Sequence, residues 1–175
     1  MVKANLKTQL PYFKKVLLFK GLFDEQILEL IAIMKSREYA EGELLAREGA
    51  REDSLFILLK GEVEISKSLL MPLWEDETQP QEKSLIHLSE KDFAFFGEMA
   101  LFEEFPERSA SIRSLKPCSV AIIEKKEFIN ILREKPEIGT MIYKNIATVL
   151  TRRLVKANRD TLKLTTAFCL ALEGE

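Results

Sequence analysis

Histidine is almost missing from this chain: His87 is the only one in 175 residues, and one imidazole cannot build the clustered metal site that small-barrel enzymes use. A haem ligand is equally unsupported, because His87 falls in the strand-like run SLIHLS and reads as a half-buried structural imidazole. Cysteine is scarce as well. Cys118 and Cys169 are far apart, with no CxxC spacing, which excludes a disulfide framework or a zinc site and reads as two buried, reduced thiols of a cytoplasmic protein. No segment approaches the roughly 20 apolar residues that cross a bilayer, and the start MVKANLKTQLPYFKK has no long apolar core, so no membrane insertion is expected. A surplus of one charge sign is also lacking. With 26 basic and 28 acidic residues interspersed, the formal charge of -2 gives no field to draw the chain to nucleic acid or anionic lipid. Nothing pairs a nucleophile with a base or sets two carboxylates for catalysis, so no enzyme, metal or cofactor is expected.

What is present is enough for one core: 46% of the residues are hydrophobic, which at this length predicts a single domain over 1–175. Helices are expected over about 5–35. In LFKGLFDEQILELIAIMKS, Ile27, Leu30, Ile31 and Met34 recur at helical spacing, and Asp24 is placed as an N-cap after a turn at Gly21. From about 36 to 124 the pattern changes to short extended runs punctuated by Gly42, Gly49 and Gly61, with an apolar strand at Leu55 to Leu59 and later pieces SLIHLS, RSASIRSL and CSVAIIEK. These predict antiparallel strands. Between Lys67 and Lys83 the stretch KSLLMPLWEDETQPQEK holds Pro72 and Pro80 and breaks both periodicities, which makes it a surface excursion whose Leu73 and Trp74 matter only if exposed.

Helices return over about 125–172. KKEFINILREK forms a short one, and Pro136 is a first-turn proline for a long one running from about Glu137 towards Leu172. Along it Ile146, Leu150, Leu154, Ala157, Thr161, Leu164 and Phe168 recur at steps of three or four. That stripe is too long for one small barrel, so part of it is expected to face a second copy of the chain as a homodimer.

The most informative stretch is FGEMALFEEFPERSAS, in which Glu98 and Arg108 stand ten residues apart. An ordinary ion pair pinning a loop and a pocket for a small anion both fit that spacing. A guanidinium offers a phosphodiester permanent charge with directional donors. Ser109, Ala110 and Ser111 let backbone N–H groups approach an oxygen, with two hydroxyls as further donors, and Gly97 opens the backbone upstream. Glu98 repels a phosphate but accepts from a sugar hydroxyl, so the pair suits a ribose phosphate. MALFEE has the length of about one helical turn, its N-terminus towards the anion, with Pro106 ending it.

The order "GE, apolar turn, P, ERSAS" resembles the phosphate-binding cassette of the cyclic-nucleotide-binding domain family in its catabolite-activator form, and EGELLAREGAREDSLFILLKGEVEIS resembles the glycine-punctuated first half of its β-roll. The likeness runs from about Leu18 to Leu154. It implies an α+β fold, an antiparallel β-roll or jelly-roll-like barrel flanked by N-terminal helices and a long C-terminal helix. It further implies cAMP as ligand, with cGMP as the alternative, in a regulatory module whose helix moves on binding. By position, the resemblance implies that Glu98 takes the ribose 2′-hydroxyl and Arg108 the cyclic phosphate, that Ser109 and the Ala110 backbone add donors, that Gly97 and Met99 line the sugar, and that Phe96 and Ala100 complete the nucleotide-binding set. The base is capped from the long helix by Arg153, Leu154, Ala157 or Asn158, a register left open because that helix is about one turn longer than the family's. Lys91 stands where the family has glycine, the approach to the cassette is two residues longer, and Phe105 is bulky. The winged-helix DNA reader of the activator form is not expected after Glu175. The rival reading is a degenerate roll that keeps the fold and serves only as a dimerisation or interaction scaffold; loss of the cassette arginine would mark it.

Overall fold

The computed structural model describes residues 6–68, 82–102, 104 and 107–173. A 3-10 turn at Leu6–Gln9 leads into a short helix α1, Leu10–Phe13, and after a second 3-10 turn at Leu17–Phe19 comes α2, Asp24–Ala32. Eight strands follow: β1 Lys35–Tyr39, β2 Leu44–Ala46, β3 Leu55–Lys60, β4 Glu62–Ser68, β5 Glu82–Ser89, β6 Phe95–Phe96, β7 Ser111–Ser114 and β8 Cys118–Ile123. They form two antiparallel sheets in the orders β1-β8-β3-β6 and β2-β7-β4-β5, the expected β-roll. The chain closes with α3, Lys125–Glu134, and α4, Pro136–Glu173.

β3 shows why its sequence is unbrokenly apolar. Leu55, Ile57 and Leu59 face a core shared with the helices, while Phe56 and Leu58 face a second core between the sheets with Val63, Phe96, Ile112 and Val120. With both faces covered, alternation disappears. The tight turn into β4 needs Gly61: its φ is +91°, and a Cβ there would stand 2.5 Å from the Pro117 carbonyl.

The first half of α4 is anchored. Ile138, Ile142 and Ile146 are buried with Phe128 and Leu132 of α3, and the buried Asn145 amide donates to the carbonyls of Leu18 (2.9 Å) and Lys20 (2.8 Å). Beyond the half-buried Leu150 the helix leaves the roll: Leu154, Leu164 and Phe168 are all more than 60% exposed, with Ala157 and Thr161 uncovered between them. The stripe is therefore left open by its own domain.

Several local expectations are corrected. Asp24 is the first helical residue of α2 and not its cap; Phe23 precedes it, its N–H donating to Gln26 Oε1 at 2.9 Å, while Asp24 pairs with Lys14 at 2.8 Å. Cys169 is exposed on the outer part of α4, and only Cys118 is buried, where loss of water pushes its thiol up to about 11. His87 is mostly exposed on β5, held by Glu64 at 2.8 Å and Ser84 at 3.1 Å, because β5 is an edge strand and the face that carries His87 is open, whereas Leu88 next to it packs against the core. At Lys91 the chain forms a 3-10 turn, Glu90–Asp92, and the left-handed backbone falls to Phe93, φ +47°. Most of the 67–83 excursion, with Pro72, Leu73, Trp74 and Pro80, and the cassette residues Phe105 and Pro106 lie outside the described residues.

Candidate functional site

The site is assembled where β6 ends and the chain turns. Gly97 adopts φ +82°, and a Cβ there would meet Arg108 Nη1 at 2.6 Å and the Ser54 carbonyl at 2.9 Å. Glycine is required twice over, by the left-handed backbone and by the guanidinium lying against it. The turn that follows is a four-residue 3-10 helix at Glu98–Leu101, shorter than the MALFEE helix expected and begun one residue earlier, by Glu98 itself.

Arg108 is positioned through its backbone and then through its side chain. Its N–H donates to the Ala50 carbonyl (2.9 Å) and its carbonyl accepts from Gly49 N–H (2.8 Å), tying the cassette to the loop between β2 and β3. The buried guanidinium lies over the Phe56 ring, 4.8 Å from its centroid, and that ring stacks on Phe96. Nη1 donates to the Ser54 carbonyl at 2.8 Å, Nη2 to Ser54 Oγ at 3.2 Å, and Nε to Glu52 at 3.3 Å. A guanidinium has five N–H donors, so one remains on each Nη for something else. Burial pulls its pKa down from the ordinary arginine value and Glu52 opposes this; the side chain stays a cation.

Glu98 is 2% exposed. One carboxylate oxygen accepts from Arg153 Nη1 of α4 at 2.5 Å, and Oε2 is buried without any partner. A buried oxygen left so costs free energy until a donor reaches it. Arg153 also donates through Nη2 to the Phe95 carbonyl at 3.0 Å, so the long helix is fastened to the site at two points.

Both charged groups face a cavity of about 310 Å³, in the range that holds a small ligand. Phe96, Gly97, Glu98, Met99, Ala100, Arg108, Ser109 and Ala110 all line it, as does Arg153. Leu154, Ala157 and Asn158 do not: Leu154 and Asn158 are turned about 100° and 140° from Arg153, and Ala157 is carried about 6 Å further along the axis, past the roll. Ser109 is exposed at the mouth. Ser111 is turned away from the cavity, its Oγ accepting from Glu48 N–H at 3.1 Å, so it is not the second hydroxyl donor expected.

Sequence reasoning missed the apolar wall, Ile65, Leu85, Ile86 and Ile112, along with Lys67 on the same side and the Arg108 partners Glu52 and Ser54. Alternation along β4 was a usable signal for Ile65, which packs with Val63 in the core between the sheets, and for Lys67 two residues on, which is exposed yet lines the same cavity as Ile65. Leu85 and Ile86, consecutive yet both lining the cavity, needed the irregularity in the β4–β5 pairing beside Ile65 and Ser66, which no residue pattern announces. A larger hollow of about 720 Å³ around Tyr12, Lys60 and Phe93 is lined by no buried charged side chain. Among the described residues no cluster of acids, histidines and cysteines is placed to hold a metal, and no helix is long and apolar enough to cross a membrane.

Comparison with known proteins points the same way. Residues 36–135 match the family described as the cyclic nucleotide-binding domain. The "cAMP-activated global transcriptional regulator CRP" of Pasteurella multocida (strain Pm70) is 33% identical over 127 residues, covering 73% of this chain and 54% of that protein. A Drosophila melanogaster "cGMP-dependent protein kinase, isozyme 2 forms cD5/T2" is 29% identical over 143 residues, 79% of this chain and 14% of the kinase. The chain thus spans about half of the first relative and a small part of the second. Among solved structures, the Thermus thermophilus Catabolite Activator Protein superposes with a TM-score of 0.71 at 25% identity, covering 85% of this chain and 63% of that one. A cyclic nucleotide-binding domain from Methylobacillus flagellatus KT reaches 0.74 at 19% identity, covering 89% and 83%, and supports the fold alone.

Proposed function

Because the chain belongs to the cyclic nucleotide-binding domain family, we propose that its cavity takes a 3′,5′-cyclic nucleotide, cAMP in the first instance, and relays occupancy to α4 by binding without chemistry. The observation that carries this is the pair of incomplete groups in one 310 Å³ space: a buried Arg108 with an N–H left on each Nη, and a buried Glu98 oxygen with no donor. A cyclic phosphate completes the first and a ribose 2′-hydroxyl the second, and one ligand carries both at fixed separation. The names of the relatives, cAMP-activated and cGMP-dependent, support the ligand class, and the first supports cAMP.

Relay follows from Arg153. It grips the same carboxylate that the ribose would engage, so a ligand that redistributes charge around Glu98 changes the hold of α4 on the roll. A ligand shifts such an equilibrium only by its differential affinity for the two helix positions, and Arg153 is where that difference arises. The uncovered stripe from Leu154 to Phe168 supplies the output surface, pairing with a second copy or with an effector.

The test is calorimetric titration with cAMP and cGMP, alongside hydrogen exchange across α4. Binding with altered exchange around Arg153 is expected, and Arg153→Met should raise exchange there without ligand. No heat and no thermal shift at millimolar nucleotide would instead favour a degenerate scaffold; binding with unaltered exchange would remove the relay.

A further inference from the structure

Lys67 is a charged side chain on a wall where alternation calls for an apolar one. It stands at alternate spacing after Val63 and Ile65 on β4, and though half-exposed it lines with Ile65 the cavity that Arg108 enters from the cassette side. Its place along the cavity comes from strand register. Ser66 pairs with Ser111 and Ile65 with Ile112, so Lys67, one step on, lies beside Ala110 at the Arg108–Ser109–Ala110 end. Its partner is weak: Glu48 stands 4.0 Å away, and the Lys67 side chain is 52% exposed. Glu48 is committed elsewhere, its other oxygen accepting from Ser68 N–H at 2.8 Å.

We propose that Lys67 is a second cation of the binding site, acting on the ring phosphate of the nucleotide from the β4 wall while Arg108 holds it from the cassette. The inference rests on the cyclic-nucleotide reading above and adds a residue to it. Distance supports the role: a space of about 310 Å³ is about 8 Å across, about one Debye length at physiological salt, so salt weakens but does not abolish the pull of an ammonium on one wall on an anion inside. The chemistry suits the geometry. An ammonium on a flexible stem acts as a point charge and needs no fixed fork, whereas directional recognition is already met by the Arg108 Nη groups. Release from Glu48 at the limit of ion-pair distance costs little.

The experiment is competition titration of cAMP and cGMP against the intact chain and its Lys67→Met and Lys67→Arg variants. Lys67→Met should weaken both nucleotides about five- to tenfold and by the same factor, since the phosphate is the part they share, and Lys67→Arg should stay within about twofold of the parent. A loss under twofold, or one confined to cAMP or to cGMP, overturns the proposal, the second because Lys67 would then read the base edge. Failure of the parent chain to bind either nucleotide overturns the reading beneath it, a result distinct from selective failure of the variant. Circular dichroism checks that each variant is folded.

Discussion

Removing the Arg108 guanidinium separates binding from folding in a way that can be measured. In Arg108→Ala the proposed phosphate loses a charge-assisted partner whose own side chain is buried, a change of about 2–5 kcal/mol, or about thirty-fold to several thousand-fold in affinity. The structure adds a second effect. The side chain is 3% exposed and satisfies the Ser54 carbonyl, so its loss leaves a partly buried acceptor without a donor, about 1–3 kcal/mol, and forfeits a cation–π contact with Phe56 of about 1 kcal/mol. Together these lower stability by about 2–4 kcal/mol, or about 5–15 °C in melting temperature for a chain of this size. A surface-pocket view, in which the arginine merely waits for ligand, predicts no such shift. Calorimetric titration and a melting curve on the same preparation read the two effects, and Arg108→Lys, which keeps the charge but cannot reach both Ser54 acceptors, should fall between parent and alanine variant in both. Affinity reduced by less than threefold would place the phosphate elsewhere, and an unchanged melting temperature would mean that the Ser54 contacts hold nothing.

Glu98→Gln should weaken cyclic nucleotide about five- to thirtyfold in the same titration, less than Arg108→Ala, because an amide oxygen still accepts from a hydroxyl; a larger loss would reverse the assigned roles. Glu52→Gln takes a competing carboxylate from Arg108 Nε and should tighten binding about three- to tenfold; weaker binding would show that Glu52 orients the guanidinium instead. Iodoacetamide at pH 8 should modify Cys169 within minutes and Cys118 only after unfolding. Burial raises the Cys118 folded-state value from 9.0 to about 11, so the stability it contributes is complete below pH 9 and is lost as pH rises towards 11; Cys118→Ala should flatten the alkaline fall in melting temperature over that window, and an unaltered slope would contradict the burial.

The strands were legible because their causes are local. Leu55 to Leu59 can only be a covered strand when glycines at Gly49 and Gly61 bound it, and Ile138, Ile142 and Ile146 can only be one face of a helix begun by Pro136. The two charges of the site were legible for a related reason: glycine, a short turn and an arginine among small residues form one continuous segment whose spacing carries its geometry. His87 and Cys169 were misjudged because exposure is not a local property. One depends on β5 being an edge strand, the other on how far α4 runs past the roll.

By itself, then, the sequence determined the succession of helices, strands and helices and the identity of the acid and base, since each follows from periodicity and steric demands within a few neighbouring residues. Only the tertiary structure decided what those groups meet. Glu52 and Ser54 reach Arg108 from 56 and 54 residues away, Arg153 reaches Glu98 from 55 away, and Lys67 comes to the cavity through strand register. Contacts that distant depend on how sheets and helix are docked, a property of packing that no window along the chain contains.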